Sequence, residues 1–420
     1  MPVRPRLLAT LLIAATALLA CSADDETAGP DDVDLLADPD VTGRWPADPP
    51  AGFVLTDLGV VTTDAGLTEP LSLSVDAETR ALHVIGISHS GTFVLLMDAQ
   101  APDGTSWVSP EPAEPVSPEL DRYLGGFPGP GLSPNKVVPR PRAAAALLPN
   151  TPALALQPGL WTFRLGVHRL HYDGLAAQYD NEPLDAAVRV GVLERRFDAP
   201  VQGQVDLTLT FATGGSTSVG AVDASTAPDD PVLQQALSFI DQSLGLVGIE
   251  LGDVFYQDGP QVEPIVDLGG PSCLGGPDVE RAFDAAPEPH PGSLQVLFIT
   301  TFRCESGGID IGPLFGGIAN GLPGRPLATR DGLVLSSLAM HSVADVWEKV
   351  LAHEMGHFFG LFHTCEDPSL GACDNIADTP EAPLAVANIM YPDVSQVTDF
   401  VFTPEQGEVM RSSPLVQPLP

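Results

Sequence analysis

Apolar and polar residues alternate in short runs between Phe53 and about Asp198, the period-two signature of strands with one buried face. LSLSV (71–75), ALHVIGI (81–87) and TFVLLMD (92–98) carry it most clearly, followed by WTFRLGV (161–167) and AAVRVGVLERR (186–196). No long helical pattern interrupts them, so a β-sandwich of ~140 residues is expected here, within a β domain over 51–200. Its middle, Asp103 to about Pro158, is rich in Pro and Gly and predicts long surface loops. KVVPRPR (136–142) is a basic patch inside that stretch, read as a solvated loop or as a processing site. There is no internal repeat.

A second pattern begins near Gly203. VDLTLTF (205–211) alternates like a strand, and Asp229-Asp230-Pro231 opens a helix to about Leu244, with Pro in its first turn. LQVLFITTF (294–302) is nearly all apolar, as expected of a central strand covered on both faces. Gly316 to Gly324 reads as an irregular edge strand, and GLVLSSLA (332–339) as another strand. Then comes SVADVWEKVLAHEMGHFFGLFH (342–363), a helix with Ser342 as expected N-cap and Asp345 as its capping-box partner. Together these predict an α/β half-domain whose last element is this helix, followed by a mostly irregular C-terminal subdomain. The chain as a whole is expected to be an α+β multidomain protein, with this second domain over 203–420.

The last helix carries the candidate chemistry. His353 and His357 are i and i+4, with Cβ atoms ~5–6 Å apart on one helix face, so two imidazoles can converge on one zinc ion. Glu354 follows the first of them, where a carboxylate reaches a zinc-bound water without ligating the metal. Gly360 ends the helix in a left-handed turn and returns His363 as a third ligand. Three protein ligands with an open fourth position belong to catalytic rather than structural zinc. On this chain's composition the full pattern arises by chance roughly 2 times in 100,000, which disfavours three unrelated core histidines.

Composition then sets the address. The 420 residues exceed one typical core, so two domains with extensions are expected. The net charge of −36 excludes nucleic acid and weighs against an anionic bilayer surface as partner, because both need a basic face. Arg4 and Arg6 precede an apolar run, Leu7 to Leu19, that is too short for a stable span. Leu18-Leu19-Ala20-Cys21 resembles a bacterial lipobox. It implies a signal peptide over 1–20, lipidation of Cys21 and, with Ser22 next, the outer membrane. An ordinary secretory signal is the competing reading. Residues 21–50 are acidic and suit a flexible tether. Cys273, Cys304, Cys365 and Cys373 are an even set suited to an oxidising compartment. Proximity favours 365–373 and 273–304, although three connectivities exist. Zinc ligation by these cysteines is the alternative, against which no C-x-x-C pair stands in the chain.

HEMGHFFGLFH (353–363) resembles the zinc motif of the metzincin metallopeptidases, and NIMYPD (388–393) resembles their methionine turn, with Met390 beneath the metal. HTC (363–365), CDNIADTP (373–380), NIM (388–390) and FTPEQGEVM (402–410) look most like the pappalysin-type members, over roughly Val205 to Arg411. In one respect the chain departs from them: Tyr391 follows the methionine directly and Pro392 stands where a tyrosine is usual, so Tyr391 is given a packing role. The resemblance implies a zinc endopeptidase acting on protein or peptide substrates, with Glu354 as general base and acid. It also implies calcium near the cysteine loop, where Glu366, Asp367, Asp374 and Asp378 are oxygen donors; a solvated acidic loop fits them equally. His341, before the helix, reads as a surface residue. Two alternatives remain: a lipid-anchored binding protein whose β domain does the work, and a latent zymogen whose N-terminal domain blocks the site.

Overall fold

A computed structural model describes residues 45, 49–89, 92–108, 135, 137, 140–141, 143–172, 179–196, 202–212, 222–268, 277–306, 309–310, 312–325, 331–342, 344–364, 374–380, 384–397 and 401–419. The expected signal peptide, Cys21, most of the tether, Cys273, Cys365, Cys373, Glu366 and Asp367 lie outside these residues. The described chain is mostly β with few helices.

Eleven strands precede residue 196: β1 (Phe53–Asp64), β2 (Leu67–Thr68), β3 (Leu71–Val75), β4 (Ala81–Ile87), β5 (Phe93–Gln100), β6 (Ser106–Val108), β7 (Arg140–Pro141), β8 (Ala143–Leu148), β9 (Gly159–Tyr172), β10 (Tyr179–Pro183) and β11 (Ala187–Arg195). They join in one sheet of order β6-β5-β9-β2-β1-β11-β4-β8. Long β1 links its two halves, pairing with β11 over residues 53–62 and with β2 at Thr63 and Asp64. Leu82, Val84, Ala146, Leu148 and Val192 from one half share a core with Leu73, Leu96, Trp161 and Phe163 from the other. The stretch expected to be loop over Asp103–Pro158 contains β6 and the wholly buried β8. AAAALL escapes a propensity reading because alanine is a poor strand former; burial on both faces decides its state.

A six-stranded mixed sheet forms the second unit. Four parallel strands, β13 (Ile249–Gly259), β12 (Gly203–Ala212), β15 (Leu294–Ile299) and β20 (Leu333–Ser336), are flanked by antiparallel β19 (Gly317–Ala319) at one edge. Short β14 (Ile265–Asp267) and β16 (Thr301–Arg303) pair beside it, as do β17 (Glu305–Ser306) and β18 (Ile309–Asp310). The C-terminal β21 (Gln417–Pro418) returns to pair with Gly203 and Gln204 of β12.

Helix α1 (Pro231–Gly245) starts at Asp230, whose carboxylate accepts from the amides of Val232 and Leu233. It packs with the motif helix on one face of the sheet, burying Leu237, Ile240 and Leu351 against Leu207, Val296 and Leu335. On the other face α2 (Pro277–Ala285) sets Val279 and Phe283 against Leu297 and Val334. Both faces are therefore covered, which is why β15 is buried throughout. The expected strand over 332–339 stops at Ser336, and α3 (Ser337–Ser342) follows it directly. Ser342 is itself helical, so it does not serve as the expected N-cap. The motif helix is α4 (Ala344–Phe358), and α5 (Pro404–Met410) closes the chain's helical part.

Candidate metal centre

Helix α4 buries Leu351, Ala352 and Met355 in the core and turns His353 and His357 to one side. It ends in a Schellman turn: the Leu361 amide donates to the Gly356 carbonyl at 2.9 Å and the Gly360 amide to the His357 carbonyl at 2.9 Å. Gly360 has φ +102°, open to glycine and costly for other residues. The chain reverses there and brings His363 back to the helix. Its Nε2 lies 3.1 Å from Nε2 of His353 and 3.0 Å from Nε2 of His357.

Three ring nitrogens so close are not paired as donors and acceptors. Ligands at ~2.0–2.1 Å from a tetrahedral zinc stand about 3.3–3.4 Å apart, so the spacing is close to that of a coordination shell. The opposite ring nitrogens agree with this. Nδ1 of His353 faces the Ile389 carbonyl at 2.7 Å, and Nδ1 of His357 faces the Leu361 carbonyl at 2.8 Å. A carbonyl can only accept, so each Nδ1 carries the hydrogen and each Nε2 presents a lone pair. The donor set fits zinc. Among the described residues, His353, His357 and His363 are the group of acidic, histidine or cysteine side chains close enough together to hold a metal.

Met390 is fully buried under this cradle. A Cβ on Gly356 would collide with its sulfur, so the glycine inside the motif leaves room for the methionine. The turn bearing Met390 is fixed by side-chain amides. Asn388 donates to Oε1 of Gln406 at 2.9 Å, and Gln406 donates back to Oδ1 of Asn388 at 3.2 Å. Asn388 Oδ1 also takes the Met390 amide at 2.8 Å, while Gln406 belongs to the capping box of α5 with Thr403. Both residues are completely buried. The Met390 carbonyl accepts from the Thr364 amide at 3.0 Å, tying the turn to the residue after His363.

Glu354 points to the sheet edge. Its Oε2 accepts the backbone amide of Ala319 in β19 at 2.7 Å. Gly317 on the same strand lets the helix approach, since a Cβ there would lie 3.2 Å from Cγ of Glu354 and would strike Leu335. Of the edge expected at 316–324, Gly317–Ala319 pairs as an antiparallel strand and touches the candidate base, while 320–325 is not strand. Sequence reasoning missed Ala319, because a backbone amide leaves no side-chain signal. It also missed the Asn388–Gln406 pair, although Thr403 and Gln406 stand at readable capping-box spacing.

The remaining candidates are dispersed. Oδ1 of Asp374 accepts from the Ile376 amide and the Thr379 hydroxyl, and Asp378 accepts from the Glu405 amide at the start of α5. Each therefore spends an oxygen on a turn or a helix end. Cys304 is buried and disulfide-bonded, the other four cysteines lying outside the described residues. Tyr391 is half-buried and its amide closes a turn onto the Asn388 carbonyl. His341 is half-buried in the last turn of α3.

Residues 329–418, about a fifth of the chain, match the model of the Metallo-peptidase family M12B Reprolysin-like. The match supports a zinc-dependent peptidase in general terms and spans the motif helix, the methionine turn and α5. No curated protein matches the chain. Among solved structures, metalloproteinase-II from Bacteroides fragilis aligns at 14% identity and TM-score 0.27, over 48% of this chain. The chain spans 50% of that protein's length. A family two carbohydrate esterase from Cellvibrio japonicus aligns at 10% identity and TM-score 0.15, over 61% of this chain and 77% of the esterase. At these TM-scores neither likeness bears on the fold.

Proposed function

We propose that the chain is a zinc endopeptidase of metzincin type, with pappalysin-like organisation between His363 and Met410. The observation that carries this is the convergence of three Nε2 atoms, two of them fixed as lone-pair donors, beside a carboxylate held on a sheet edge. His353, His357 and His363 would hold the zinc, which when bound acidifies water and polarises a carbonyl. Glu354 takes the proton of the attacking water and delivers it to the departing amine. The Ala319 amide keeps that carboxylate aimed across the edge of β19. The outer edge of β19 carries no strand among the described residues, and an extended peptide laid along it can bond the outward main-chain groups other than the Ala319 amide, which Glu354 holds. That favours cleavage within a chain over removal of a terminal residue. Export and lipidation at Cys21, and with them the outer membrane, rest on residues 4–22 of the sequence alone.

The test compares protein lacking residues 1–21 with its Glu354→Ala variant, measuring bound zinc and cleavage of an unstructured protein such as casein. One zinc in both is expected, with cleavage reduced about 10²–10⁴-fold in the variant. Zinc in neither would overturn the reading. Zinc in both with cleavage by neither would point to the latent form.

A further inference from the structure

The β11-β4-β8 part of the N-terminal sheet is buried on both faces: every residue of β8 and β11 is buried, and all of β4 except Ile87. An isolated sandwich would leave one face to water. Leu82, Val84, Ala146 and Leu148 point into the N-terminal core. Strand register puts Ala81, His83, Leu147 and Arg195 on the opposite face. That face meets the second unit. Ala81 and Leu147 belong to the same apolar core as Leu351, Met355, Phe359 and Leu361. Cδ2 of Leu147 lies 3.2 Å from where a Cβ of Gly360 would stand, directly over the turn between His357 and His363. Two polar contacts flank it. The Thr151 hydroxyl donates to the Asn375 carbonyl at 2.7 Å, and Nη1 of Arg195 donates to the Ser412 hydroxyl at 2.9 Å.

We infer that the N-terminal domain is a constitutive back wall of the metal centre, in which Leu147 is a positioning residue for His363. The inference rests on the zinc reading above and gives the N-terminal half a role in it. The space that a Cβ of Gly360 would enter is lined by Leu147 at 3.2 Å, Val409 at 3.7 Å and Pro323 at 3.8 Å. A turn packed on that side against buried side chains is held in place, and His363, three residues on, inherits its position. The wall is apolar where Ala81 and Leu147 enter the core of the second unit, like interfaces that do not come apart. A pro-segment that leaves on activation would strand Leu147 and Ala81 in water and would unclamp the turn.

The test reads zinc affinity by chelator competition, not activity. Leu147 and Leu148 are adjacent, equally buried and face opposite sides of β8. Leu147→Ala is expected to weaken zinc binding at least ~10-fold, the scale of lost outer support for a ligand. Leu148→Ala, a cavity of similar size in the N-terminal core, is expected to leave it unchanged while lowering stability. Equal zinc affinity in both variants would overturn the inference. A second measurement does not depend on either variant folding. A specific protease site placed between Arg196 and Gln202 of the full chain is cut after folding. The halves are expected to co-elute with zinc affinity within about threefold of the uncut protein, the loss Leu147→Ala must exceed. Halves that separate, with the C-terminal one binding zinc as before, would also overturn it. Failure of the uncut protein to bind zinc would sink the peptidase reading itself, and co-elution is read independently of that.

Discussion

His83 illustrates how a single side chain responds to the interdomain face. It is fully enclosed, neither ring nitrogen has a hydrogen-bond partner, and burial, reinforced by the Arg195 charge, pushes its pKa down to about 3. An unfolded chain would protonate this imidazole near pH 6.5. Between pH 6.5 and 3 the unfolded state therefore binds a proton the folded state refuses, and stability falls as pH falls, by up to about 1.4 kcal/mol per pH unit. Above that window His83 is neutral in both states and contributes nothing to the slope. Replacing His83 by Leu should remove this contribution: the drop in urea midpoint from pH 7.5 to pH 5 should be smaller in His83→Leu. Parallel drops would mean that the ring reaches water. Gly356 makes the opposite kind of prediction. In a helix Gly→Ala ordinarily stabilises by about 1 kcal/mol. Here the new methyl meets the Met390 sulfur, with Phe402 at 3.2 Å behind, so Gly356→Ala should lower the melting temperature and weaken zinc binding about 10-fold. Chelator competition and a thermal melt check both, and a more stable variant would show that the turn gives way freely.

Between elements, the buried amide pair joins α5 to the methionine turn and, through Ile389, to His353. Gln406→Leu leaves the Asn388 amide without its partner in a dry site, a loss of about 1–3 kcal/mol. Asn388→Leu does the same to Gln406. Because each single change strands the other partner and the double change strands neither, the double variant should cost less than the two singles summed, and denaturant titrations of all three test it. Additive costs would mean the amides act separately. This pair also marks where sequence reading stops. The motif helix and its turn were legible because their rules are local: i and i+4 on one face, then glycine and a returning histidine. LSLSV and ALHVIGI were legible because β-branched and aliphatic residues alternate over a covered face. β8 was not, since its alanines gain strand form only from neighbours on both sides. Ala319 contributes only its amide, and a contact between residues 35 apart has no signature in either.

For the whole molecule, a shared core means that metal binding and folding of the N-terminal half are linked. A ligand that binds only the folded state stabilises it by about 4 kcal/mol at a thousand times its dissociation constant. If the second unit stood alone, that increment would stop at residue 203. With Leu147 and Ala81 inside the core that includes Leu361 and Met390, it has to reach β4 and β8. Hydrogen exchange of the full chain, with and without a chelator, reads this peptide by peptide. Protection should fall over 353–363 and, in step, over 143–148 and 81–87, although no residue of the latter two segments ligates metal. Strand β3 is the internal comparison, because it pairs with β9 in the other half of the N-terminal sheet. Its protection should fall less, since its side chains belong to apolar clusters other than the one holding Leu361 and Met390. Ionic strength must be held constant, because a net charge of −36 makes the fold sensitive to screening and a chelator adds anions. Loss confined to residues after 203 would mean the two halves fold independently and merely touch. Loss that spreads into β8 first would make the N-terminal sheet a structural part of the metal centre, and would explain why a strand of alanines and leucines is buried on both sides.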